Sequence, residues 1–285
     1  MPRADTPPVP PLKWHGGKQY LAKRIIALMP PHTHYVEPYA GGLAVLLDKS
    51  PEDCSEVVND LNGRLVNFWL ALRDVAKFER FHRLAAATPF AEPFWQEAAA
   101  TLDEGDEVQQ AYAFFVHCRQ SLAGRMQDFA PLSKRRTRRG MNEQASAWWS
   151  VVDGLPEVHA RLRRVVVMSR DALEVIRSQD NPQTLFYLDP PYLHETRATT
   201  TEYGPHEMSA EQHEALLGAL VGIEGKFLLS GYDNPLYKRF MAEHGWDRVA
   251  FDLPNHAGGG AAKRRMEEVV WANFKLAPGA SAPRS

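Results

Sequence analysis

The stretch TLFYLDPPY, residues 184–192, contains both an apolar run and the point at which that run stops. Its first five residues are apolar, aromatic or β-branched, which predicts a buried strand. Asp189 follows, and then come Pro190 and Pro191, which cannot continue a central strand. Two successive prolines also fix the chain in a rigid extended exit, directly before Tyr192. The sequence therefore predicts a strand with a carboxylate, backbone carbonyls and an aromatic ring at its carboxyl end.

These groups suit a planar amine as the substrate. The Asp189 carboxylate and a nearby carbonyl can accept the two N–H protons of an exocyclic NH₂ group, and the Tyr192 ring can stack on the attached base. The amine of adenine is a poor nucleophile because its lone pair is delocalised into the ring. Two hydrogen bonds to acceptors would direct that lone pair towards an electrophile. The alternative interpretation is a strand-ending turn that merely contains two prolines.

Other short strand-like runs alternate with helical patterns, which predicts an α/β doubly wound sheet. In such sheets ligands bind at the carboxyl ends of the strands. Glu37, Asp60, Asp171 and Asp189 each lie at or just past a predicted strand end, so we expect them to surround one crevice. A short glycine-rich connection joins the last two strands, which predicts that they pair antiparallel. HYVEPYAGGLAVLLDK predicts a short strand, a glycine turn and a helix, and EVVNDLN predicts a second strand that ends in Asp60. The later strand-like runs are RVVVMSRD, TLFYLDPPY, KFLLSGYD, DRVAFDLP and EEVVWANF.

Helical patterns dominate the middle of the chain, where they indicate an insertion after the second strand. The prediction comprises a flexible tail at 1–11, a discontinuous catalytic domain at 12–63 and 160–276, a helical insert at 64–159 with a basic loop or hairpin near 123–140, and a flexible tail at 277–285.

The insert carries a concentration of positive charge, although the whole chain has a formal net charge of −2. The basic side chains indicate contacts with DNA phosphates; the alternative is a solvated loop. The candidate residues are Arg119, Arg125, Lys134, Arg135, Arg136, Arg138 and Arg139.

Two glycine-containing segments near the N-terminus are typical of ligand sites. In EPYAGG, residues 37–42, glycines between a strand and a helix let a ligand approach the backbone, and a helix N-terminus favours negative groups. Asp60 follows about one strand–helix–strand unit later, where an acid can bind ribose hydroxyls. KWHGGK, residues 13–18, places Trp14 and Lys18 around a Gly-Gly turn. Taken alone, EPYAGG with Asp60 is equally compatible with an ordinary strand–helix turn. KWHGGK alone is more typical of an anchored aromatic residue and a solvated lysine.

Several protein classes are disfavoured by composition. The 2 cysteines are too few for a disulfide framework, and the 11 histidines do not cluster at metal-ligand spacing. The N-terminus has no signal-peptide pattern, and no apolar run approaches the roughly 20 residues of a membrane span. We therefore expect a cytoplasmic protein with no metal and no membrane association.

Together the motifs resemble the Dam-like DNA adenine-N6 methyltransferases, in which the cofactor motif precedes the target-recognition insert. KWHGGK is similar to the N-terminal cofactor motif of that family, VEPYAGG to its first-strand motif, VNDLN to its ribose-binding segment and DPPY to its catalytic tetrapeptide. LLSGYD and EEVVWANF resemble its closing strands. The similarity covers nearly the whole chain in order, and it implies a Rossmann-like methyltransferase sheet of about seven strands, the last antiparallel.

The resemblance also assigns individual residues. It implies a catalytic tetrapeptide of Asp189, Pro190, Pro191 and Tyr192, in which Asp189, the Pro190 carbonyl and Tyr192 hold the target adenine. It implies contacts with S-adenosylmethionine from Trp14, Lys18, Glu37, Pro38, Tyr39, Ala40, Gly41, Asp60, Asp171 and Asp189.

The activity that the resemblance implies is site-specific methylation of adenine N6 in double-stranded DNA. The target base would be flipped out of the duplex, because its amine is engaged in base pairing there. Methyl transfer would be direct and in line, without a covalent enzyme intermediate or a metal. We expect a monomer or weak dimer in the cytoplasm of a bacterium or a phage-infected cell.

Two alternatives stay open at this point. One is a methyltransferase acting on another amine, in RNA adenine or protein glutamine, although Asp189 favours adenine in DNA where Asn is common in those enzymes. The other is a non-catalytic DNA-binding protein on a decayed methyltransferase scaffold, against which the intact DPPY and Asp60 argue. Leu43 stands where many relatives have a third small residue, and the insert shows little similarity to the hairpin that reads GATC. The recognition sequence and any partner restriction enzyme are therefore left open.

Overall fold

The computed structural model describes residues 7–14, 16–132, 134–193, 207–253 and 266–276. The strands are β1 (His34–Glu37), β2 (Ser55–Asn59), β3 (Thr137–Arg138), β4 (Met141–Asn142), β5 (Val165–Met168), β6 (Thr184–Leu188), β7 (Lys226–Tyr232), β8 (Asp247–Leu253) and β9 (Met266–Ala272).

The helices alternate with the strands at both ends of the chain and follow one another between β2 and β5. They are α1 (Ala22–Ile26), α2 (Ala44–Asp48), α3 (Gly63–Arg73), α4 (Val75–Ala87), α5 (Glu92–Ala100), α6 (Glu107–Gln120), α7 (Glu143–Asp153), α8 (Leu155–Leu162), α9 (Ala172–Gln179), α10 (Ala210–Val221) and α11 (Pro235–His244), with a short 3₁₀ turn at Leu122–Gly124.

Within the described ranges, seven strands form one sheet in the order β5-β2-β1-β6-β7-β9-β8. Strand β1 is parallel to β2 and β6, and β6 is parallel to β7. Strand β9 is antiparallel to both β7 and β8. The expected mixed α/β fold, with about seven strands and an antiparallel end, is confirmed.

Strand β6 is central, since it pairs with β1 on one side and with β7 on the other. All five of its residues are buried, which agrees with the continuous apolar run that marks parallel strands covered on both faces. The strand ends at Leu188, directly before Asp189 and the two prolines.

Contacts divide the chain into two compact units. The helical unit comprises Met1–Lys23, Ala40–Pro51 and Asp60–Ser169, and the sheet unit comprises Arg24–Tyr39, Glu52–Asn59 and Arg170–Ser285. In this division the N-terminal segment and the glycine turn are grouped with the helices. The proposed boundaries of the catalytic domain and the insert stay a prediction. Both predicted tails lie largely outside the described residues, which begin at 7 and end at 276.

Aromatic packing fills the core of the helical unit. Phe68 of α3 stacks on Phe115 of α6, with ring centroids 5.8 Å apart, and it also contacts Trp69 and Phe81. Residues 64–86 show one continuous helical pattern, yet they form two helices. Helix α3 ends before Asp74, whose side chain accepts a hydrogen bond from Lys77 N at 2.9 Å and caps α4.

Asn59, at the end of β2, ties three segments of the sheet unit together. Its Nδ2 donates to Pro38 O and Arg170 O, each at 3.0 Å, and its Oδ1 accepts from Arg170 N at 2.9 Å. Only 1% of the residue is exposed. The amide therefore fixes the chain just past β1, at the start of the PYAGG segment.

Asn59→Ala should lower the free energy of unfolding by about 2–4 kcal/mol, because it removes several buried hydrogen bonds and leaves buried backbone groups without a partner. Asn67→Ala, which removes a single surface bond to Glu107 O, is the matched control and should cost about 1 kcal/mol or less. Urea unfolding of both variants tests the difference, and equal losses would contradict this role for Asn59.

Candidate active site

The glycine turn after β1 is held in the helical unit by an acid and an indole. Gly41 has a positive φ of 47°, and its N–H donates to Asp60 Oδ2 at 3.0 Å. The other oxygen, Asp60 Oδ1, accepts from Asn62 N at 2.9 Å. Trp69 Nε1 donates to Gly41 O at 3.1 Å. The structure thus brings Gly41 and Asp60 together, and backbone N–H groups orient the carboxylate.

Trp14 packs directly on this turn. A Cβ atom on Gly41 would lie 2.8 Å from Trp14 Nε1, and one on Gly42 would lie 2.8 Å from Trp14 Cβ. Neither position can therefore carry a side chain while the indole stays in place. Lys18, from the same motif, is buried, and its Nζ donates to Gly16 O at 2.8 Å. Trp14, Gly41 and Asp60 consequently form one cluster in the helical unit.

The DPPY segment forms a second cluster, in the sheet unit. The Tyr192 hydroxyl lies 3.1 Å from Asp189 Oδ1 and also donates to Glu268 Oε1 of β9. The Tyr192 ring meets the Tyr232 ring of β7 edge-on, with centroids 4.6 Å apart and planes at 74°. Tyr192 and Pro190 are buried, whereas Asp189 is partly exposed. A carboxylate and a tyrosine hydroxyl are therefore in contact at the carboxyl end of β6.

Burial raises the pKa of Tyr192 well above its usual value, and the neighbouring carboxylates of Asp189 and Glu268 raise it further. The pKa of Tyr237, on α11, is raised by burial and then by the charges of Tyr39 and Asp189. Both phenols therefore stay protonated at physiological pH and act as hydrogen-bond donors near Asp189.

Two of the other acids predicted at strand ends have local partners. Glu37 is 2% exposed, and its Oε1 accepts a hydrogen bond from Tyr35 OH at 2.7 Å. Asp171 is exposed, and its Oδ1 accepts from Leu173 N at 2.9 Å and Glu174 N at 3.2 Å, which caps α9. Pro38 is buried and fixed through its carbonyl by Asn59, while Tyr39 is partly exposed. The cofactor roles of these residues stay predictions.

The basic run forms an exposed two-stranded hairpin, β3–β4, in the helical unit. Some of its charges have partners: Arg136 lies 3.8 Å from Glu143, and Arg139 lies 3.8 Å from Asp153 and donates to Ser150 Oγ at 2.7 Å. The hairpin lies at the C-terminal end of the segment for which a basic loop or hairpin was predicted, and the role of that segment stays a prediction. Its exposed members are Lys134, Arg135, Arg136, Arg138 and Arg139, to which the exposed Arg125 is added from the preceding loop.

Arg119 differs from the other basic candidates because it is largely buried, on α6. Burial lowers its pKa to about 10. Lys13 is close by, and its pKa is lowered to about 8 by burial and then by the positive charge of Arg119. The Lys13 ammonium lies 3.4 Å from Gln144 Oε1. Two cations are therefore held together here at an electrostatic cost.

Sequence reasoning missed three residues that organise these clusters: Asn59, Trp69 and Glu268. Asn59 lies inside VNDLN, in which only Asp60 was given a role, and Glu268 lies inside EEVVWANF, which was assigned only to a strand. Trp69 lies in a helical pattern, which predicts only a core residue for this position. A buried polar residue at a predicted strand end is the signal that could have identified Asn59; Glu268 depends on strand register, which the sequence does not give.

Neither a metal site nor a membrane span is found in the part of the chain that the structure describes. No group of three or more His, Cys, Asp or Glu side chains there could hold a metal ion. No helix in the same ranges is both long and apolar enough to cross a membrane.

Comparison with known families agrees with this geometry. The family model of D12 class N6 adenine-specific DNA methyltransferases matches residues 14–250. This range includes the glycine turn of the first cluster and the DPPY segment of the second. The chain belongs to this family. It is therefore an adenine-specific DNA methyltransferase, whose substrate is DNA and whose family generally uses S-adenosylmethionine.

A curated relative has a similar length to this D12 class methyltransferase. It is the Type II methyltransferase M1.LlaDCHI of Lactococcus lactis subsp. cremoris, which is 22% identical over 279 residues. The alignment covers 92% of this chain and 94% of the relative. The similarity thus extends over the whole of both proteins rather than over one motif.

Gly41→Ala should destabilise the D12 class methyltransferase by about 2–4 kcal/mol, since it combines a positive φ with a collision against the Trp14 indole. Gly245→Ala is the matched control, because Gly245 has a φ of 66° but no atom within 4 Å of an added Cβ. The control should cost only about 1 kcal/mol. Thermal or urea unfolding compares them; equal costs would contradict close packing of Trp14 on the turn.

The depressed pKa of Lys13 predicts a pH effect on stability. Between about 8, its pKa in the folded state, and 10.5, its ordinary value, the unfolded chain binds more protons, so stability should rise with pH in that window. Lys13→Met removes this titration, and its advantage over the wild type should be on the order of 1 kcal/mol at pH 7, fall as the pH rises above about 8 and vanish only above about 10.5.

Lys23→Met, at an exposed lysine, is the control and should leave the pH profile of the wild type unchanged. Urea unfolding of the three proteins at pH 7, 8, 9 and 10 measures the effect. A constant difference between Lys13→Met and wild type over this range would contradict it.

Proposed function

We propose that the D12 class methyltransferase holds a flipped adenine at the carboxyl end of β6 and uses Asp189, the Pro190 carbonyl and Tyr192 to direct its amine. The contact between Asp189 and Tyr192, next to a buried proline, carries this proposal. Adenine N6 is paired inside a duplex, so the base has to leave the stack before these groups can reach it.

Each residue has a separate task in the transfer. The Asp189 carboxylate and the Pro190 carbonyl accept hydrogen bonds from the two N6–H groups, which directs the nitrogen lone pair out of the base plane. The Tyr192 ring stacks on the base and fixes its orientation. When bound, S-adenosylmethionine supplies the methyl group that the lone pair attacks directly and in line. Asp189 would also accept the proton that N6 loses after the attack.

The residues of the helical unit fit the proposed methyl donor. S-adenosylmethionine combines a purine, a ribose and a charged amino-acid end. The Trp14 indole, the buried Lys18 ammonium and the Asp60 carboxylate offer an aromatic surface, a cation and an oriented acceptor. The further residues that we assign to the cofactor are Glu37, Pro38, Tyr39, Ala40, Gly41, Asp171 and Asp189.

The DNA is proposed to lie against the exposed basic hairpin and loop, where arginine and lysine side chains can neutralise phosphates. The residues assigned to DNA are Arg119, Arg125, Lys134, Arg135, Arg136, Arg138 and Arg139. Since the curated relative is a Type II methyltransferase, we also propose a setting in restriction–modification, as a monomer or weak dimer in the cytoplasm.

Asp189→Ala should lower the single-turnover rate of methyl transfer at least about a hundredfold, because it removes an acceptor aimed at the reacting amine. The assay uses labelled S-adenosylmethionine and plasmid DNA, with unfolding monitored in parallel. Asp252→Ala, at an exposed position of the edge strand β8, is the control and should keep the wild-type rate. A normal rate for a folded Asp189→Ala protein would refute the catalytic assignment.

A further inference from the structure

The Tyr192 hydroxyl contacts two carboxyl groups. One belongs to Asp189, in the catalytic tetrapeptide. The other belongs to Glu268 on β9, which lies 76 residues after Tyr192 in the chain. Glu268 is 2% exposed. A buried glutamate is rare without a specific partner, because desolvation of its charge is costly. Its position against the tyrosine of the reaction centre therefore calls for a physical role.

The register of β7 and β9 brings both Glu268 and Tyr232 into contact with Tyr192. Tyr232 of β7 and Glu268 of β9 are directly opposite partners in the antiparallel ladder. Tyr232 meets the ring of Tyr192 and Glu268 accepts its hydroxyl proton. One cross-strand pair thus restrains Tyr192 at two points, which are its aromatic ring and its hydroxyl group. The ladder on both sides of β9 in turn fixes the backbone of Glu268.

The number of protons decides how the two carboxyls share the hydroxyl. A phenol has a single proton, so it donates fully to one acceptor at a time. Burial and the two carboxylates raise the pKa of Tyr192, so that proton is retained. Asp189 is partly exposed and can be solvated, whereas Glu268 is buried and loses more if the donor turns away. Donation to Glu268 is therefore favoured, and it holds the hydroxyl end of the Tyr192 ring against β9.

We propose that Glu268 is a positioning residue for methyl transfer: by accepting a hydrogen bond from the Tyr192 hydroxyl it sets the angle of the stacking ring. This inference rests on the proposed roles of Asp189 and Tyr192. The competing explanation is that Glu268 only stabilises β9. The two explanations differ in whether the effect of Glu268 depends on the Tyr192 hydroxyl.

A double-mutant cycle separates them. Glu268→Leu, which removes the acceptor, Tyr192→Phe and the double variant are compared in single-turnover assays at saturating DNA and S-adenosylmethionine, together with the Kd for each ligand. The matched control is Glu267→Leu, since Glu267 is the exposed neighbour of Glu268 on the same strand. Wild-type and variant proteins are full length, and urea unfolding monitors their stability.

We expect Glu268→Leu and Tyr192→Phe each to slow the transfer about tenfold or more, with ligand Kd values within about threefold of wild type. The double variant should be no more than about threefold slower than Tyr192→Phe, because Glu268 acts through the hydroxyl that Tyr192→Phe has already removed. Glu267→Leu should keep the wild-type rate. A wild-type rate for folded Glu268→Leu, or a double variant whose loss is the product of the two single losses, would overturn the proposal.

Two further variants keep the test decisive. If Glu268→Leu does not fold, Tyr192→Phe alone decides, because it keeps the ring and removes only the hydroxyl: a tenfold loss supports the proposal and a normal rate overturns it. Tyr192→Ala tests the underlying stacking role separately. A slow Tyr192→Ala with a normal Tyr192→Phe would reject the role of Glu268 and leave the proposed function intact. Normal rates for both Tyr192→Ala and Asp189→Ala would reject the proposed function itself.

Discussion

The abrupt end of a fully buried central strand is the constraint on which the reaction centre depends. Strand β6 is fixed by β1 on one side and β7 on the other, so the position of its last residue is set by the sheet. Proline cannot donate to the ladder, and the two prolines therefore force the chain out of the sheet directly after Asp189. A strand that continued would place this carboxylate inside the ladder. The end of the strand therefore presents a partly exposed hydrogen-bond acceptor, the Asp189 carboxylate.

Polar side chains in the sheet unit and in the helical unit orient the residues of the two clusters as well as stabilising the fold. The Asn59 amide fixes the backbone past β1, and the Asp60 carboxylate fixes Gly41. Glu268 and Tyr232 restrain Tyr192 through one cross-strand pair. Each of these buried interactions would be costly if one partner were lost. Such interactions hold side chains within the narrow tolerances that methyl transfer requires.

The fold and the motif residues could be predicted from the sequence because their signals are local. Apolar runs mark the seven strands of the sheet, and DPPY and the glycine turn are contiguous segments. Three features could not be found in that way. Asp74 divides an uninterrupted helical pattern, since a cap competes with continuation. Leu43 has a positive φ of 54°, a conformation normally left to glycine. Glu268 meets Tyr192 only through the register of β7 and β9, which depends on the tertiary fold.

The central claim is that the protein transfers a methyl group to adenine N6 in DNA. The most direct test incubates the purified protein with unmethylated plasmid and S-adenosylmethionine that carries a deuterated methyl group, followed by mass spectrometry of the digested nucleosides. The account predicts labelled N6-methyldeoxyadenosine and no other labelled nucleoside. Label in N4-methyldeoxycytidine, or no labelled nucleoside from a folded protein that binds S-adenosylmethionine, would contradict it.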